Sequence, residues 1–202
     1  MTTTRTAVRT YAVAARTLLL FTAVLGIGYT AVITGIGQLA IPAQANGSMI
    51  EVDGAPVGSS LIGQAFTDSE GNALPEYFQP RPSAAGDGYD ASASSGSNYG
   101  PENEDLIAAI TERKAQIAQF NGVSPEQVPA DAVTASVSGL DPHISPEYAL
   151  LQVDRVAEAR GISPDTVRQI VEARIQARDL GYLGDPTVDV LELNLALDKA
   201  KG

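Results

Sequence analysis

The chain contains no cysteine and no tryptophan, and it has a single histidine. Without cysteine there is no disulfide framework, no thiolate nucleophile and no cysteine-ligated metal. One histidine, His143, argues against a zinc site, because such sites combine several histidine or cysteine ligands. A phosphate-binding glycine loop and a Gly-x-Ser-x-Gly nucleophile elbow are also missing. The core must therefore be built from Leu, Ile, Val and Ala, and common nucleotide-binding and hydrolase motifs are excluded.

Charge is missing from a long stretch near the N-terminus. No charged side chain lies between Arg16 and Glu51, and residues 18–41 are almost wholly apolar. A helix over this range would be about 36 Å long at about 1.5 Å per residue, enough to cross a hydrocarbon core of about 30 Å. Three arginines precede it and all 24 acidic residues follow it. Because arginine-rich flanks stay in the cytoplasm, this pattern predicts a single-pass protein of the plasma (inner) membrane. The predicted parts are a cytoplasmic N-terminus (1–17), a transmembrane helix (18–41) and an extracytoplasmic domain (42–202).

A cleaved secretory signal is the alternative for this stretch. Ala43-Gln44-Ala45 resembles a cleavage site, and the arginines resemble the start of a signal peptide. Signal peptides carry apolar runs of about 7–15 residues, and this run is longer. The length favours a retained anchor.

The apolar stretch also carries small residues at helical spacing. Gly28, Ala31 and Gly35 fall on one face of a helix. Small residues let a neighbouring membrane helix approach closely, although glycine is also common in membrane helices generally. Both interpretations stay open, and the three residues are a candidate helix-packing face.

Residues 42–202 hold 24 acidic and 10 basic side chains, a net charge of −14. Nucleic acid is an unsuitable partner for so acidic a domain, because its phosphates need a basic surface. Membrane lipid is instead expected around the apolar helix. The length suits one domain with a modest core.

The patterns within this domain predict a mixed α+β (α/β) fold. One strand is expected before Asp53-Gly54 and one after it, and the stronger strand pattern is in the second, at 61–66. Three Ser-Pro-acid triplets, at Ser124, Ser145 and Ser163, supply an N-cap, a first-turn proline and a favourable charge. The first predicts one short turn, and the others predict longer helices. The predicted helices cover 103–120, 146–160 and 164–180, and further strands are expected at 132–137 and 187–193, the last followed by a helix.

Residues 83–100 are 13 of 18 Ser, Gly or Ala. Composition alone predicts a flexible linker here.

The single histidine lies in the run Asp141-Pro142-His143-Ile144-Ser145-Pro146. One hypothesis is a membrane-anchored hydrolase that uses Asp141, His143 and a serine. Triad members normally converge from separate elements, so adjacency argues against it. A capped helix-entry loop explains the same residues and is favoured.

Arg81, between two prolines, is the one basic residue between Glu51 and Glu112. It is either an anchor at an interface or a charge satisfied by neighbouring acids, and the sequence does not separate these interpretations.

Several segments together resemble the C subunit of the bacterial Kdp potassium-transporting ATPase, the KdpC family. The specific run is Leu140-Asp141-Pro142-His143-Ile144-Ser145-Pro146. The other segments are residues 57–64, 77–85, 95–98, 133–136 and 190–198, and they run in order from the anchor almost to the C-terminus. The candidate interface residues within these segments are Gln64, Arg81, Ser97, Asn98, Asp141, His143 and Ser145.

The resemblance implies a non-catalytic accessory subunit of a high-affinity potassium importer. Its implied partners are a channel-like A subunit, a P-type ATPase B subunit and a small F peptide. It also implies that the anchor is retained and that residues 83–100 are a defined part of the domain. The chain lacks an Asp-Lys-Thr-Gly phosphorylation site, so ATP and potassium are expected to be handled by the complex, with no cofactor bound by this chain.

The family subunit is described as a catalytic chaperone that raises the ATP affinity of the ATPase subunit. With the domain outside, any such effect must pass through the membrane helix or through the short tail that carries Arg5, Arg9 and Arg16. Contact of these arginines with a nucleotide has no motif to support it.

Overall fold

The computed structural model describes residues 3–200. The chain divides into two compact units, Met1–Met49 and Ile50–Gly202, which are described separately.

The first unit is a long helix followed by a short one. Helix α1 (Thr3–Phe21) continues through a π-helical segment (Thr22–Tyr29) into α2 (Thr30–Ala40), and α3 (Pro42–Ala45) follows. Over Thr6–Ala40 the mean hydropathy of the most apolar window is 2.0, and none of that window is buried. Length and composition therefore make it a candidate membrane span, as the sequence predicts. The helix begins well before residue 18, so the apolar run marks only part of it.

The end of this helix is closed by a pair of amides. Gln38 Nε2 donates to Asn46 Oδ1 (3.2 Å), and Asn46 Nδ2 donates to Gln38 Oε1 (3.1 Å). Asn46 Nδ2 also donates to Pro42 O at 2.7 Å. These bonds satisfy polar groups at a point where the helical backbone is interrupted.

The second unit mixes short helices with two small sheets, in agreement with the predicted fold class. In one sheet β1 (Met49–Val52) pairs with β2 (Ala55–Ser59). In the other, β3 (His143–Ile144) lies antiparallel to β4 (Val188–Asp189). The helices are α4 (Glu104–Asn121), α5 (Ala130–Val133), α6 (Pro146–Leu151), α7 (Val153–Arg160), α8 (Pro164–Glu172) and α9 (Val190–Ala200), with a 3₁₀ turn at Pro125–Gln127.

The core lies among α6, α7, α8 and α9. It consists mainly of valine, leucine and alanine, as the missing tryptophan requires. Val153, Val156, Val167 and Leu193 are each fully buried. One aromatic ring, Phe78, is also fully buried and comes from an irregular segment rather than a helix.

The predicted helix starts are confirmed. Asn103 caps α4, accepting a hydrogen bond from Leu106 N (3.1 Å). The hydroxyl oxygens of Ser145 and Ser163 accept from Tyr148 N and Thr166 N, at 3.0 and 3.1 Å. Pro125–Gln127 is a single turn, as predicted. The predicted helix at 146–160 is interrupted at Gln152, which joins α6 to α7.

Four predictions about ordered segments are wrong. The strand predicted at 187–193 is only β4 (Val188–Asp189), because α9 begins at Val190. The helix predicted to reach residue 180 ends at Glu172, because Gln176 exchanges backbone hydrogen bonds with Thr187 (2.8 and 3.1 Å). No strand forms at the predicted range 132–137, because Ala132 and Val133 are buried in α5 and residues 134–137 are irregular. Residues 61–66 form no strand, and the paired segment of this hairpin is β2.

The linker predicted from the composition of 83–100 is also wrong. The segment has no helix or strand, but its polar groups bond across to residues 136–141. Ser83 Oγ donates to Gly139 O (2.6 Å), and Ser95 N donates to Ser138 O (3.0 Å). Small residues are used here for close approach, since a Cβ at Gly96 would lie 2.7 Å from Val137 O.

Candidate functional site

An extended segment at 77–82 runs through the middle of the second unit without a β-strand partner. Two buried amides take the place of that partner. Asn194 Oδ1 accepts from Phe78 N (2.8 Å), and Asn194 Nδ2 donates to Phe78 O (3.0 Å). Gln152 does the same for the neighbouring residue, accepting from Gln79 N (2.7 Å) and donating to Gln79 O (3.1 Å). Each amide satisfies both backbone groups of one residue, which removes the penalty of burying them.

Two buried arginines hold the chain just before this segment. Arg155 Nη1 donates to the carbonyls of Pro75 and Tyr77, and its Nη2 donates to Gln152 Oε1 (2.6 Å). Burial lowers the pKa of Arg155 to about 10, which still leaves the side chain charged at neutral pH. Arg160 Nε donates to Glu76 O (2.6 Å). The backbone of 75–79 is therefore fixed by side chains from α7, from α9 and from Gln152 at the junction of α6 and α7.

Where this segment leaves the core, Arg81 meets the histidine-containing run. Arg81 Nη1 donates to Asp141 Oδ2 at 2.9 Å. The other carboxylate oxygen, Asp141 Oδ1, accepts from His143 N (3.0 Å) and lies 3.5 Å from His143 Nδ1. Arg81 Nε is buried without a hydrogen-bond partner among the described residues. We call Arg81, Asp141 and His143 the charged cluster; each of its side chains is about one quarter to one third exposed.

The charged cluster has a defined electrostatic balance. Burial opposes ionisation of Asp141, but the hydrogen bonds of His143 and the charge of Arg81 outweigh it, so the pKa lies below 3.8. The pKa of His143 is raised above 6.5, first by the Asp141 hydrogen bond and further by the charges of Asp189 and Glu192. Burial raises the pKa of Asp189, which lies opposite His143 in the β3–β4 pair.

Tyr89 connects the charged cluster to the 83–100 segment. Its hydroxyl donates to Arg81 O at 2.8 Å. Burial and the charge of Asp141 raise its pKa, while Arg81 opposes the shift. A side chain at Gly63 would be 2.5 Å from Tyr89 Cε1 and 2.6 Å from Asp141 O, so only glycine fits there.

The segments that carry the family resemblance converge around this cluster. Gly63 N donates to Leu140 O (2.9 Å), and Ser136 N donates to Pro82 O (2.9 Å). At the start of α9, Val190 N donates to Pro142 O (3.0 Å). Residues that are far apart in sequence therefore build one surface.

The other candidate residues have local structural roles or are exposed. Gln64 Nε2 donates to Val57 O (3.3 Å), within the turn that follows β2. Asn98 has φ of 53° and donates from Nδ2 to Gly96 O (3.0 Å), and Ser97 beside it is exposed. Gly28, Ala31 and Gly35 are exposed on the first unit.

Ser145 does not form a nucleophile–base pair with His143. Its Oγ donates to Asp131 Oδ1 (2.8 Å) and accepts from Tyr148 N (3.0 Å), so it is committed to the helix cap. No hydrogen bond joins the His143 ring to a serine hydroxyl among the described residues. The helix-entry interpretation of this run is therefore the one that the geometry supports.

Apolar side chains lie exposed beside the charged cluster. Leu61 is 61 % exposed and Val137 is 88 % exposed, and both border a concavity that Arg81 and Asp141 also line. Exposed apolar groups rimmed by charge are typical of surfaces that contact another protein. Single exposed apolar residues are common, so the grouping carries this interpretation.

The comparisons with known proteins identify the family. The KdpC family model, described as "K+-transporting ATPase, c chain", matches residues 11–199. The chain belongs to the KdpC family. A protein of Kineococcus radiotolerans is 54 % identical over 183 residues, which cover 91 % of this chain and 90 % of that one. It is named "Potassium-transporting ATPase KdpC subunit".

Two further relatives carry the same name. The protein of Mycobacterium tuberculosis is 52 % identical, covering 90 % of this chain and 94 % of its own length. That of Caulobacter vibrioides is 55 % identical, covering 89 % and 87 %. The match over residues 11–199 thus includes the apolar helix, Arg81 and the run that contains Asp141 and His143. KdpC membership of this chain does not depend on any one motif.

The residues that sequence reasoning missed are the buried amides. Asn194 lies on the apolar face of α9, between Val190 and Leu197 at helical spacing. Gln152 lies similarly one turn after Tyr148 and one turn before Val156, both of which are buried. A single amide side chain on an otherwise apolar, buried helical face must find hydrogen-bond partners, and backbone N–H and C=O groups of another segment can supply them.

Proposed function

We propose that this KdpC chain acts as a non-catalytic subunit that holds a potassium-transporting ATPase complex in its working form. The observation that carries the proposal is the match of the family model over residues 11–199. The curated relatives are named as one subunit of that ATPase. The partners that we propose are the channel-like A subunit, the P-type ATPase B subunit and the small F peptide.

The membrane helix is the proposed contact within the bilayer. Gly28, Ala31 and Gly35 form its packing face, because small side chains allow close helix–helix approach. At Gly35 an added Cβ would meet nothing within 4 Å in the chain itself, so the space there is open to a neighbour.

Leucine substitution tests this face. Gly28→Leu with Gly35→Leu should reduce co-purification of the other Kdp subunits with the tagged chain in mild detergent, about tenfold or more. Gly26→Leu is the matched control, since residue 26 lies on the other side of the helix. The packing claim is wrong if the double variant retains the complex as well as the control does.

We further propose that residues 1–17 are cytoplasmic, residues 18–41 span the membrane and residues 42–202 form the extracytoplasmic domain. Three arginines before the span and 24 acidic residues after it support this orientation. A domain of net charge −14 on the outside would enrich monovalent cations only locally, since fields fade over about 8 Å at physiological salt. Our proposal is that the domain caps the external potassium pathway, and because the enrichment is modest, selectivity is expected to reside in other subunits.

Single-cysteine labelling tests the orientation cleanly, because the chain has no native cysteine. A membrane-impermeant maleimide on intact cells should label Glu158→Cys, at an exposed position of α7. Thr6→Cys should be labelled only after permeabilisation. The reverse pattern would overturn the topology, and loss of the first 45 residues from the mature chain would support the cleaved signal instead.

If the chain also raises the ATP affinity of the ATPase subunit, the proposed topology restricts which parts of the chain can transmit that effect. An extracytoplasmic domain cannot touch a cytoplasmic nucleotide. The effect would then travel through the span or through the tail that carries Arg5, Arg9 and Arg16.

A further inference from the structure

A second surface of the domain, separate from the packing face of the helix, has the features of a binding groove. It lies between α4 and residues 79–89, and its volume is about 820 Å³. Gln79, Arg81 and Tyr89 line one side, and Arg113, Gln116 and Phe120 line the other. This volume is within the range of about 300–1,000 Å³ that is typical of ligand sites.

The charge of the groove is opposite to that of the domain around it. Arg81 and Arg113 line it, and no aspartate or glutamate does. The domain as a whole carries 24 acidic side chains against 10 basic ones. The charge of Arg81 is balanced by Asp141, so Arg113, which has no salt-bridge partner among the described residues, is the cation that favours an occupant carrying negative charge.

Both arginines are held in place before anything binds. Arg113 Nη1 donates to Val133 O at 3.1 Å, and Arg81 is fixed by Asp141. Tyr89, whose hydroxyl donates to Arg81 O, is fixed beside them. Pre-positioned donors lose less conformational entropy on binding than free surface side chains do.

The remaining lining suits a polypeptide. Ile117, Phe120 and Tyr148 supply apolar surface, and Gln116 and Gln119 supply amides that both donate and accept hydrogen bonds. Gln116 Nε2 donates to Glu112 Oε1 (3.0 Å), which leaves its amide oxygen as an acceptor. Backbone N–H and C=O groups of an extended peptide need both acceptors and donors, and this lining supplies both.

We propose that this groove binds an extended polypeptide segment that bears a carboxylate and belongs to another subunit of the ATPase complex. The inference rests on the proposed function for the existence of that complex. Its own content is the groove, the two arginines and the acidic peptide chemistry of the occupant. The carboxylate pairs with Arg113, and the backbone of the segment lies along the glutamine side chains of α4.

Site-specific photo-crosslinking in the assembled complex tests the proposal. A photoreactive amino acid is placed at Gln119, an exposed groove residue, and in a parallel sample at Gln169, an exposed glutamine of α8 that does not line the groove. Irradiation in mild detergent with retained lipid is followed by mass spectrometry of the adducts. The expected result is an adduct from Gln119, and none from Gln169, with a segment of another subunit that contains Asp or Glu.

Charge variants then test the chemistry of the contact. Arg113→Gln should lower the yield of the Gln119 adduct about tenfold, because a charge-assisted hydrogen bond is lost. Arg168→Gln, at an exposed arginine of α8, should leave the yield unchanged. Gln116→Glu provides a second reading should Arg113→Gln fail to fold, since a new carboxylate at the rim should also repel the segment.

The outcomes separate this inference from the proposed function. Adducts with lipid only, with the same chain only, or with a segment that lacks Asp and Glu would overturn the groove proposal. So would a yield that neither Arg113→Gln nor Gln116→Glu lowers, or a co-purified complex without a Gln119 adduct. Absence of other subunits from the purified sample would instead overturn the proposed function.

Discussion

Buried polar side chains, rather than the β-sheets, organise the middle of the second unit, Ile50–Gly202. Asn194 and Gln152 each satisfy both backbone groups of one residue in the segment at Phe78 and Gln79. The sequence shows these amides on apolar helical faces, but not which backbone they meet, because 116 residues separate Asn194 from Phe78. Such partners are a property of the tertiary fold.

The charged cluster combines a local contact with a long-range contact, and only the local one could be inferred from the sequence. The contact in which Asp141 accepts from His143 N two residues later is local and is typical of an Asx turn. The long-range contact, Arg81 with Asp141, answers the question that the sequence left open about a satisfied charge. A role of Arg81, Asp141 and His143 in contacting another subunit stays a proposal.

The raised pKa of His143 predicts a pH dependence of stability. Its folded pKa lies above 6.5, so the contribution of the His143–Asp141 pair is fully present below 6.5 and is lost as pH rises through the folded value. The charges that face the ring are Asp141, Asp189 and Glu192, with Arg81 beyond Asp141. The midpoint temperature of unfolding of the full chain in detergent should therefore decrease as the pH is raised from 6.5 through the folded pKa of His143.

His143→Gln is the control for this effect, since the chain has no other histidine. Its unfolding midpoint, followed by circular dichroism, should change less over the same pH range. An equal slope in both proteins would contradict the assigned pairing. Asp189, whose pKa is raised by burial, is present in both proteins, so its titration does not distinguish them.

At the scale of elements, boundaries set by local signals could be predicted, which include the starts of α4, α6 and α8 and the end of α7 before Gly161, whereas the end of α8 could not. A start is a local event in which Ser, Pro and an acid satisfy the first turn within three residues. The end of α8 at Glu172 depends on the distant pairing of Gln176 with Thr187. Beyond Ile175 the sequence offers good helix formers but little apolar surface to bury, so tertiary pairing decides the conformation.

The composition of residues 83–100 predicts a flexible linker, but the segment is packed against residues 136–141. Substitutions at two glycines test whether this packing contributes to stability. Gly139 and Gly161 have similar φ values of 70° and 68°. An added Cβ at Gly139 would lie 2.6 Å from Ser95 O and 2.9 Å from Ala85 N, whereas at Gly161 nothing lies within 4 Å. Gly161→Ala should thus cost about 1–2 kcal/mol of stability from backbone strain alone.

Gly139→Ala should cost about 1–3 kcal/mol more than Gly161→Ala, because it also forces 83–100 away from the backbone at 139. Urea unfolding in constant detergent measures both. Equal losses would mean that residues 83–100 yield freely, as a linker would, and the packed description of this segment would be wrong.

At the scale of the whole molecule, the distribution of charge and apolar surface carries most of the functional prediction. A charge-free apolar stretch, preceded in the chain by three arginines and followed by an acidic domain, is visible directly in the sequence. The arrangement of the domain surface could not, because the charged cluster and the groove beside α4 are assembled from segments far apart in the chain. The π-helical segment at Thr22–Tyr29 was likewise missed, since apolar periodicity does not separate π from α geometry.

The central claim is that this chain works through assembly and has no catalysis of its own. The most direct measurement is potassium-stimulated ATP hydrolysis in material purified through a tag on this chain in mild detergent, compared with the chain purified alone. The account predicts that the first sample contains the other Kdp subunits and hydrolyses ATP faster with potassium, while the isolated chain does not hydrolyse ATP. A chain that elutes without those subunits, or that hydrolyses ATP by itself, would contradict the account.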